Sequence, residues 1–328
     1  MAGESLDFRI RLACLVSSLP YRKSFFRRGG FKTFGTDLQY WPARIESWFG
    51  SHLLSEGQAA YRRLMSSATF QDALPYLALA FPGEQEYPSN LAQIFDPPGA
   101  LWILSTDSTK QKSFASNLPY IGIVGTRRPD PISIVAVERF LDSVSAVVVS
   151  GLALGVDAAA HARALERNQP TLAVLGAGVL HPGPSRNSHL WRASPSVTLV
   201  SEFLPDIPPK NYHFPRRNRI IAGLSDALFL FQAPRKSGAL ISAEYALEEG
   251  RDLYVFDHPM LSDATNGGGR DLLQQGAMPV GLPELEEKGR FYRWPAGPVE
   301  PEKELWLRRG LRTGRLRPLG QGWLFDGA

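Results

Sequence analysis

YIGIVG, the run Tyr120–Gly125, is apolar at every position and β-branched at three, with no polar residue to mark a solvent-facing side. A strand written this way is buried on both faces. The same texture returns in AVVVSG (Ala146–Gly151), TLAVLGAG (Thr171–Gly178), VTLVSEF (Val197–Phe203), ALFLFQA (Ala227–Ala233) and DLYVFDH (Asp252–His258). Between these runs lie helical stretches of crossover length, about 132–143, 157–168, 215–224 and 239–249. Buried strands alternating with helices predict a doubly wound, mostly parallel α/β sheet. Sheets of that kind bind ligands beyond the carboxyl ends of their strands.

Those ends carry the unusual residues. Glycine and arginine close the first strand at Gly125-Thr126-Arg127, where a backbone can approach closely and a guanidinium can meet a phosphate. The second closes in Ser150-Gly151-Leu152-Ala153-Leu154-Gly155-Val156-Asp157, small residues whose amides and hydroxyls suit an anion. Asp157 and His161 stand four apart, on one helix face; Asp157 is read as a helix cap or network member, since no nucleophile marks an acid–base pair. Gly176-Ala177-Gly178 lacks the third glycine and the following helix of a dinucleotide fingerprint, and no GxxxxGK[ST] occurs. Arg186 lies in the loop beyond, and Ser237-Gly238 precede the helix at 239–249.

The densest charge is in FPRRNRIIAGLS, Phe214–Ser225. Pro215 suits a helix's first turn, and Ile220, Ile221 and Leu224 recur at helical spacing. Arg216, Arg217, Asn218 and Arg219 therefore stand near the mouth of a helix, where unpaired amides favour phosphate, with Lys210 just upstream. Tyr212, His213 and Phe214 flank the run as candidate stacking groups; for Phe214 a core role beside the helix proline is the stronger reading.

Composition limits the alternatives. With 328 residues, 44% hydrophobic and 21% charged, the chain is a globular protein able to bury a large core. Its net charge of +4 is too small for a basic polymer, so a nucleic-acid role rests on local concentration. Leu204 to Arg219 supplies it: Lys210, Arg216, Arg217 and Arg219 against Asp206 alone. The lone Cys14 excludes an internal disulfide and no Cys/His cluster has zinc spacing, so neither a structural metal nor redox chemistry is expected. No segment reaches the roughly 20 apolar residues that span a bilayer, and a cytoplasmic location is expected.

The chain reads in three parts. Residues 1–80 form a small helical module of short helices and tight turns, 81–282 the sheet domain, and 283–328 a linker and basic tail with a helix expected at 303–311.

Taken together, VSGLALGVDAAAHARALE (Val149–Glu166), TLAVLGAG, SEFLPDIPPKNYHFPRRNRIIAGLS (Ser201–Ser225), SGALISAEYALEEGR (Ser237–Arg251) and NGGGRDLLQQGA (Asn266–Ala277) resemble the DNA-processing protein A (DprA/Smf) family. EYPSNLAQIFDPP at Glu86–Pro98 fits the start of the shared region, so the resemblance covers roughly residues 85 to 280. It implies an extended Rossmann-like domain that binds single-stranded DNA in a basic pocket, forms homodimers, and helps load the RecA recombinase during natural transformation. It implies no catalysis and no cofactor. Carried over by position, Arg127, Lys210, Arg217, Asn218 and Arg219 become phosphate-binding candidates, with Arg186 beside them. Ser150, Gly151, Ser237 and Gly238 would supply amides or hydroxyls. The N-terminal module would be helix-hairpin-helix or sterile-alpha-motif-like.

Three departures stand out. Arg127 leads into Arg128-Pro129-Asp130-Pro131 rather than serine and a tyrosine-glycine pair. Asp257-His258-Pro259 stands where the family commonly has proline-glycine. Of the C-terminal winged helix, Leu311–Phe325 resembles at most the closing hairpin.

A rival reading is a nucleotide sensor or a nucleoside-monophosphate phosphoribohydrolase of the LOG type, with Glu244 as its carboxylate; the double glycine of that family's loop is absent here. On the binding reading, reversing Arg127 and Arg217 to glutamate weakens single-strand binding without unfolding the protein.

Overall fold

The computed structural model describes residues 5–19, 30–105, 117–192 and 197–280, together with the strand backbones of 291–293, 316–319 and 322–325. The tail helix expected at 303–311 lies outside the described residues.

The six apolar runs are strands, β3 (Tyr120–Gly125), β4 (Val147–Ser150), β5 (Thr171–Val174), β6 (Val197–Ser201), β7 (Ala227–Phe231) and β8 (Asp252–Phe256). They pair in parallel in the order β6-β5-β4-β3-β7-β8, with the short β9 (Met278–Pro279) beyond β8. Two four-residue strands that the sequence pattern does not announce, β1 (Leu77–Ala80) and β2 (Leu101–Leu104), extend the sheet antiparallel past β6. LALA and LWIL are too short and too uniformly apolar to show a period. A separate three-stranded sheet pairs β10 (Phe291–Arg293) and β11 (Leu316–Leu319) with β12 (Gly322–Phe325).

Helices cover both faces. On one, α6 (Pro131–Ser143) and α7 (Val156–Glu166) pack against Ile121, Ile123, Val148 and Phe231. On the other, α9 (His213–Leu224) and α10 (Ala239–Glu248) pack against Val124, Val149, Val174 and Leu230. Alternate residues of β3 thus enter different cores, as the two-residue strand period requires. The chain leaves β3 toward β4, β5 and β6, then returns through α9 to pair β7 on the other side of β3. That reversal makes the switch point, and the register Gly125↔Phe231↔Phe256 sets three strand ends level there.

The N-terminal helices α1 (Leu6–Ser17), α2 (Trp41–Phe49), α3 (His52–Met65) and α4 (Ala68–Ala73) form one core with Trp102, Ala173 and Leu199 of the sheet. Phe31 stacks on Trp41, Phe34 meets the same indole edge-on, and the Trp102 Nε1–H donates to the Ser17 hydroxyl at 3.1 Å. The short helices α5 (Ser89–Gln93) and α8 (Ser188–Arg192) complete the layers, and α11 (Asp263–Gln274) lies between β8 and β9 in the chain. Among the described residues, no helix is long and apolar enough to cross a membrane.

Candidate nucleic-acid interface

At the switch point β3 and β7 are tied by the Thr126 amide donating to the Gln232 carbonyl at 2.9 Å. The turn at Gly155, φ +81°, presses so close that a Cβ there would overlap the Thr126 carbonyl, and one on Gly125 would overlap that of Phe231. Both glycines are needed for this close approach. The packed turn projects Arg127 to the surface, its guanidinium 5.5 Å from the Phe214 ring centroid. The departure from the family's G-x-R pattern is absorbed locally: Gln232 and Asp130 exchange hydrogen bonds at 2.7 and 3.0 Å, and Pro131 opens α6.

A cleft of about 570 Å³ opens here, bounded by Arg127, Arg217, Asn218, Lys236, Ser237 and Gly238. Behind Arg127, Phe214 and Arg217, which line both, is a second chamber of about 240 Å³ beneath Leu152 and Gly176. Phe214 is therefore a partition wall, and a Cβ on Gly176 would stand 2.7 Å from its ring.

Helix α9 begins at His213, two residues earlier than Pro215 suggests, because the His213 amide is already satisfied by the Lys210 carbonyl at 2.9 Å. Arg216–Asn218 thus fall past the opening residues and divide by face. Arg217 is buried: Nη1 donates to the carbonyls of Gly151 (2.7 Å) and Val174, and Nε to Asn218 Oδ1 at 3.1 Å. Gly151 has no Cβ because the guanidinium occupies that space. Burial, against the opposing pull of Asp157, brings the Arg217 guanidinium down to about 10. Nη2 has no hydrogen bond among the described residues, and the side chain lines both chambers. Asn218 passes its second bond to the Gly238 carbonyl at 3.3 Å, joining α9 to the start of α10.

Arg216 and Arg219 turn the other way. The buried Glu202 carboxylate accepts from both Nη atoms of Arg219 at 2.8 Å and from Arg216 Nη2 at 2.9 Å; Asp96 accepts from Arg219 Nε at 3.1 Å. Two cations meet two carboxylates, and neither arginine lines either chamber.

Ser150 and Gly151 build the wall. The Ser150 hydroxyl donates to the Ile123 carbonyl at 2.6 Å, and the amides of Gly151 and Ala153 donate to Asp157 at 3.1 and 3.3 Å. Burial raises the Asp157 carboxyl while the charge of Arg217 opposes it. Ser237 and Gly238 face the cleft; a Cβ on Gly238 would meet nothing within 4 Å. Lys210 is exposed outside both chambers, its ammonium 5.8 Å from the Tyr212 ring, and Arg186 is exposed on the turn 185–187, also outside them. Tyr212 is 65% exposed, whereas His213 is buried, stacked on Phe203 at 4.1 Å. Glu244 is exposed on α10 and lines neither chamber.

Two contributors carry no mark in the sequence that sets them apart. Lys236, exposed at the cleft, was signalled only by its place before Ser237-Gly238. Asn187 donates to the carbonyls of Leu152 (2.9 Å) and Ala153 (3.1 Å), holding Leu152 at φ +57°. A contact across that many residues leaves no local signal.

His161 is buried with Nδ1 2.7 Å from the Thr171 hydroxyl, which itself donates to the Val148 carbonyl. Nδ1 therefore carries the proton. Burial, then the charge of Arg217, lowers His161 from 6.5 to about 3. The unfolded chain binds this proton first, so its stabilising contribution is complete above pH 6.5 and is lost as pH falls toward about 3. Urea titrations across that window should show wild-type stability falling by up to about 1.4 kcal/mol per pH unit from this residue. H161Q should remove that component; an unchanged pH slope in H161Q would refute it.

A family model described as DNA recombination-mediator protein A matches residues 78–286. The DNA processing protein DprA of Bacillus subtilis is 36% identical over 200 residues, 60% of this chain and 65% of that protein, so the chain spans just under two thirds of that relative's length. Among solved structures, DNA processing protein A from Streptococcus pneumoniae superposes with a TM-score of 0.67 at 28% identity, covering 85% of this chain and 95% of that one. DNA processing protein A from Helicobacter pylori, whose structure describes its single-stranded DNA binding mode, gives 0.52 at 28% identity over 62% and 90% of the two chains.

Proposed function

This chain belongs to the DNA recombination-mediator protein A family, and on that premise we propose that it binds single-stranded DNA in the switch-point cleft. It does so as a cytoplasmic homodimer without catalysing a reaction, and mediates loading of the RecA recombinase in recombination and natural transformation. The observation that carries the reading is the convergence of Arg127, Arg217, Lys236 and the Ser237-Gly238 turn on one cleft. Guanidinium and ammonium groups together match a phosphodiester backbone. A flexible single strand can enter such a cleft, with Tyr212 and Lys210 at hand for bases and backbone beyond it.

The test is fluorescence anisotropy with labelled single-stranded and duplex oligonucleotides over a salt series. Three cleft cations engaging three phosphates give a log–log slope of about −2 on a single strand. Preference for duplex, or no binding, would remove the reading. Release of base from nucleoside monophosphates, abolished by E244Q, would favour the hydrolase instead.

A further inference from the structure

The NGGG motif at Asn266–Gly269 has no part in the cleft itself, yet every polar end of the Asn266 side chain is spent on the strands that build it. Asn266 is fully buried and leaves helical geometry at φ −136°, ψ 17°. Its Oδ1 accepts from the Ala233 amide at 2.9 Å, and its Nδ2 donates to the Phe256 carbonyl at 3.1 Å and to Asp257 Oδ1 at 2.9 Å. The kink lets one side chain join the ends of β7 and β8. Three residues on, the Gly269 amide donates back to the Ala233 carbonyl at 3.1 Å, so both backbone groups of Ala233 are held by α11.

The following residues are held as firmly. A Cβ on Gly268 would lie 2.9 Å from the carbonyl oxygens of Ala233 and Pro234, backbone atoms that could move only by displacing the loop. Arg235 is gripped from both sides, by Asp263 at 2.5 and 3.2 Å and by Asp271 at 2.7 and 3.0 Å, two residues of the same helix. The chain then passes directly into Lys236, Ser237 and Gly238, which wall the cleft and open α10.

We propose that α11 is a strap that sets the position of the Lys236–Gly238 wall, with Asn266 and Gly268 as positioning residues and the Arg235–Asp263–Asp271 clasp as its outer fastening. The strap rests on the DNA-binding reading for its consequence, since a displaced wall carries Lys236 and the Ser237-Gly238 turn away from a bound phosphate. Its mechanical half stands independently.

The clasp offers a test whose sign separates positioning from simple charge. Its carboxylates are exposed, so D263A/D271A leaves the core intact. Removing two acids beside the cleft would by electrostatics alone tighten binding of an anion. The strap requires the reverse: binding of a labelled single-stranded oligonucleotide weakens about three- to tenfold, and the salt slope becomes less negative by about 0.7 as one phosphate contact is lost. G268A, which displaces the loop from within, should behave alike, whereas Q274A at the exposed end of α11 should not. Hydrogen exchange measured without DNA should show faster exchange at residues 236–240 in D263A/D271A. Unchanged exchange there overturns the strap whether or not DNA binds, and tighter binding with an unchanged slope overturns it as well. Altered exchange in a protein whose wild type binds no DNA would support the strap and remove the DNA reading.

Discussion

Reversing the charge of Arg127 in R127E should lower affinity for single-stranded DNA by one to two orders of magnitude, about the loss of one charge-assisted contact of 1.5–3 kcal/mol. The salt slope should become less negative by about 0.7 or more. The fold should be untouched, because the side chain is exposed and its recorded contact is the Phe214 ring. Anisotropy titrations at two salt concentrations, beside a urea unfolding curve, measure both halves; unchanged affinity would remove this cleft from the DNA-binding reading. Arg217 cannot serve as an equivalent probe, and the sequence-based expectation that both arginines can be reversed without unfolding needs correction. A glutamate at 217 would be buried against the Gly151 and Val174 carbonyls beside Asp157. Such an uncompensated charge destabilises by about 3–5 kcal/mol. R217K keeps the charge but loses the two-pronged geometry, and is the informative change at that site.

Deleting the Glu202 carboxylate in E202A should destabilise the protein by about 3–5 kcal/mol. Arg219 would remain buried with Asp96 as its remaining anion, and Arg216 would lose its carboxylate. Burial pushes the Glu202 carboxyl up, but Arg219 and Arg216 more than offset it and hold the group below 4.5. Its folded value lies below its unfolded one, so its contribution is present above about 4.5 and is lost as pH falls through the depressed folded value. Asp96 works in the opposite sense, since burial raises it despite Arg219. E202A should accordingly show a shallower loss of stability in acid than wild type. Urea denaturation at pH 7 and at a series of pH values below 4.5 reads both effects; a loss below about 1 kcal/mol at pH 7 would show that the cluster does not pin α9.

These two sites show how far local reading reaches. FPRRNR is recognisable as a concentration of charge on a helix, and in sequence its arginines are equivalent. They are not, because a helix advances about 100° per residue and neighbouring side chains face different surroundings. Arg217 faces the strand ends, while Arg216 and Arg219 face Glu202 and Asp96, the latter separated from Arg219 by 123 positions in the chain. Ser150 and Gly151 likewise stood out as open donors, yet Asp157 folds back onto the Gly151 amide and Ile123 takes the Ser150 hydroxyl. Lys236 carries no distinguishing local signal, because a single lysine before a helix is ordinary until the opposite wall of the cleft is known.

By itself the sequence determined the layered α/β architecture, since strands buried on both faces must be apolar throughout and the helices between them must cross over. It also determined that the unusual residues gather at the strand ends. Only the tertiary structure decided which cations face the cleft and which are neutralised behind it, that two short antiparallel strands extend the sheet, and that α11 grips the loop before Lys236. The physical reason is common to all three: a buried charge or backbone group takes its partner from whatever the fold brings near, and that partner is distant in sequence and unmarked until the chain has packed.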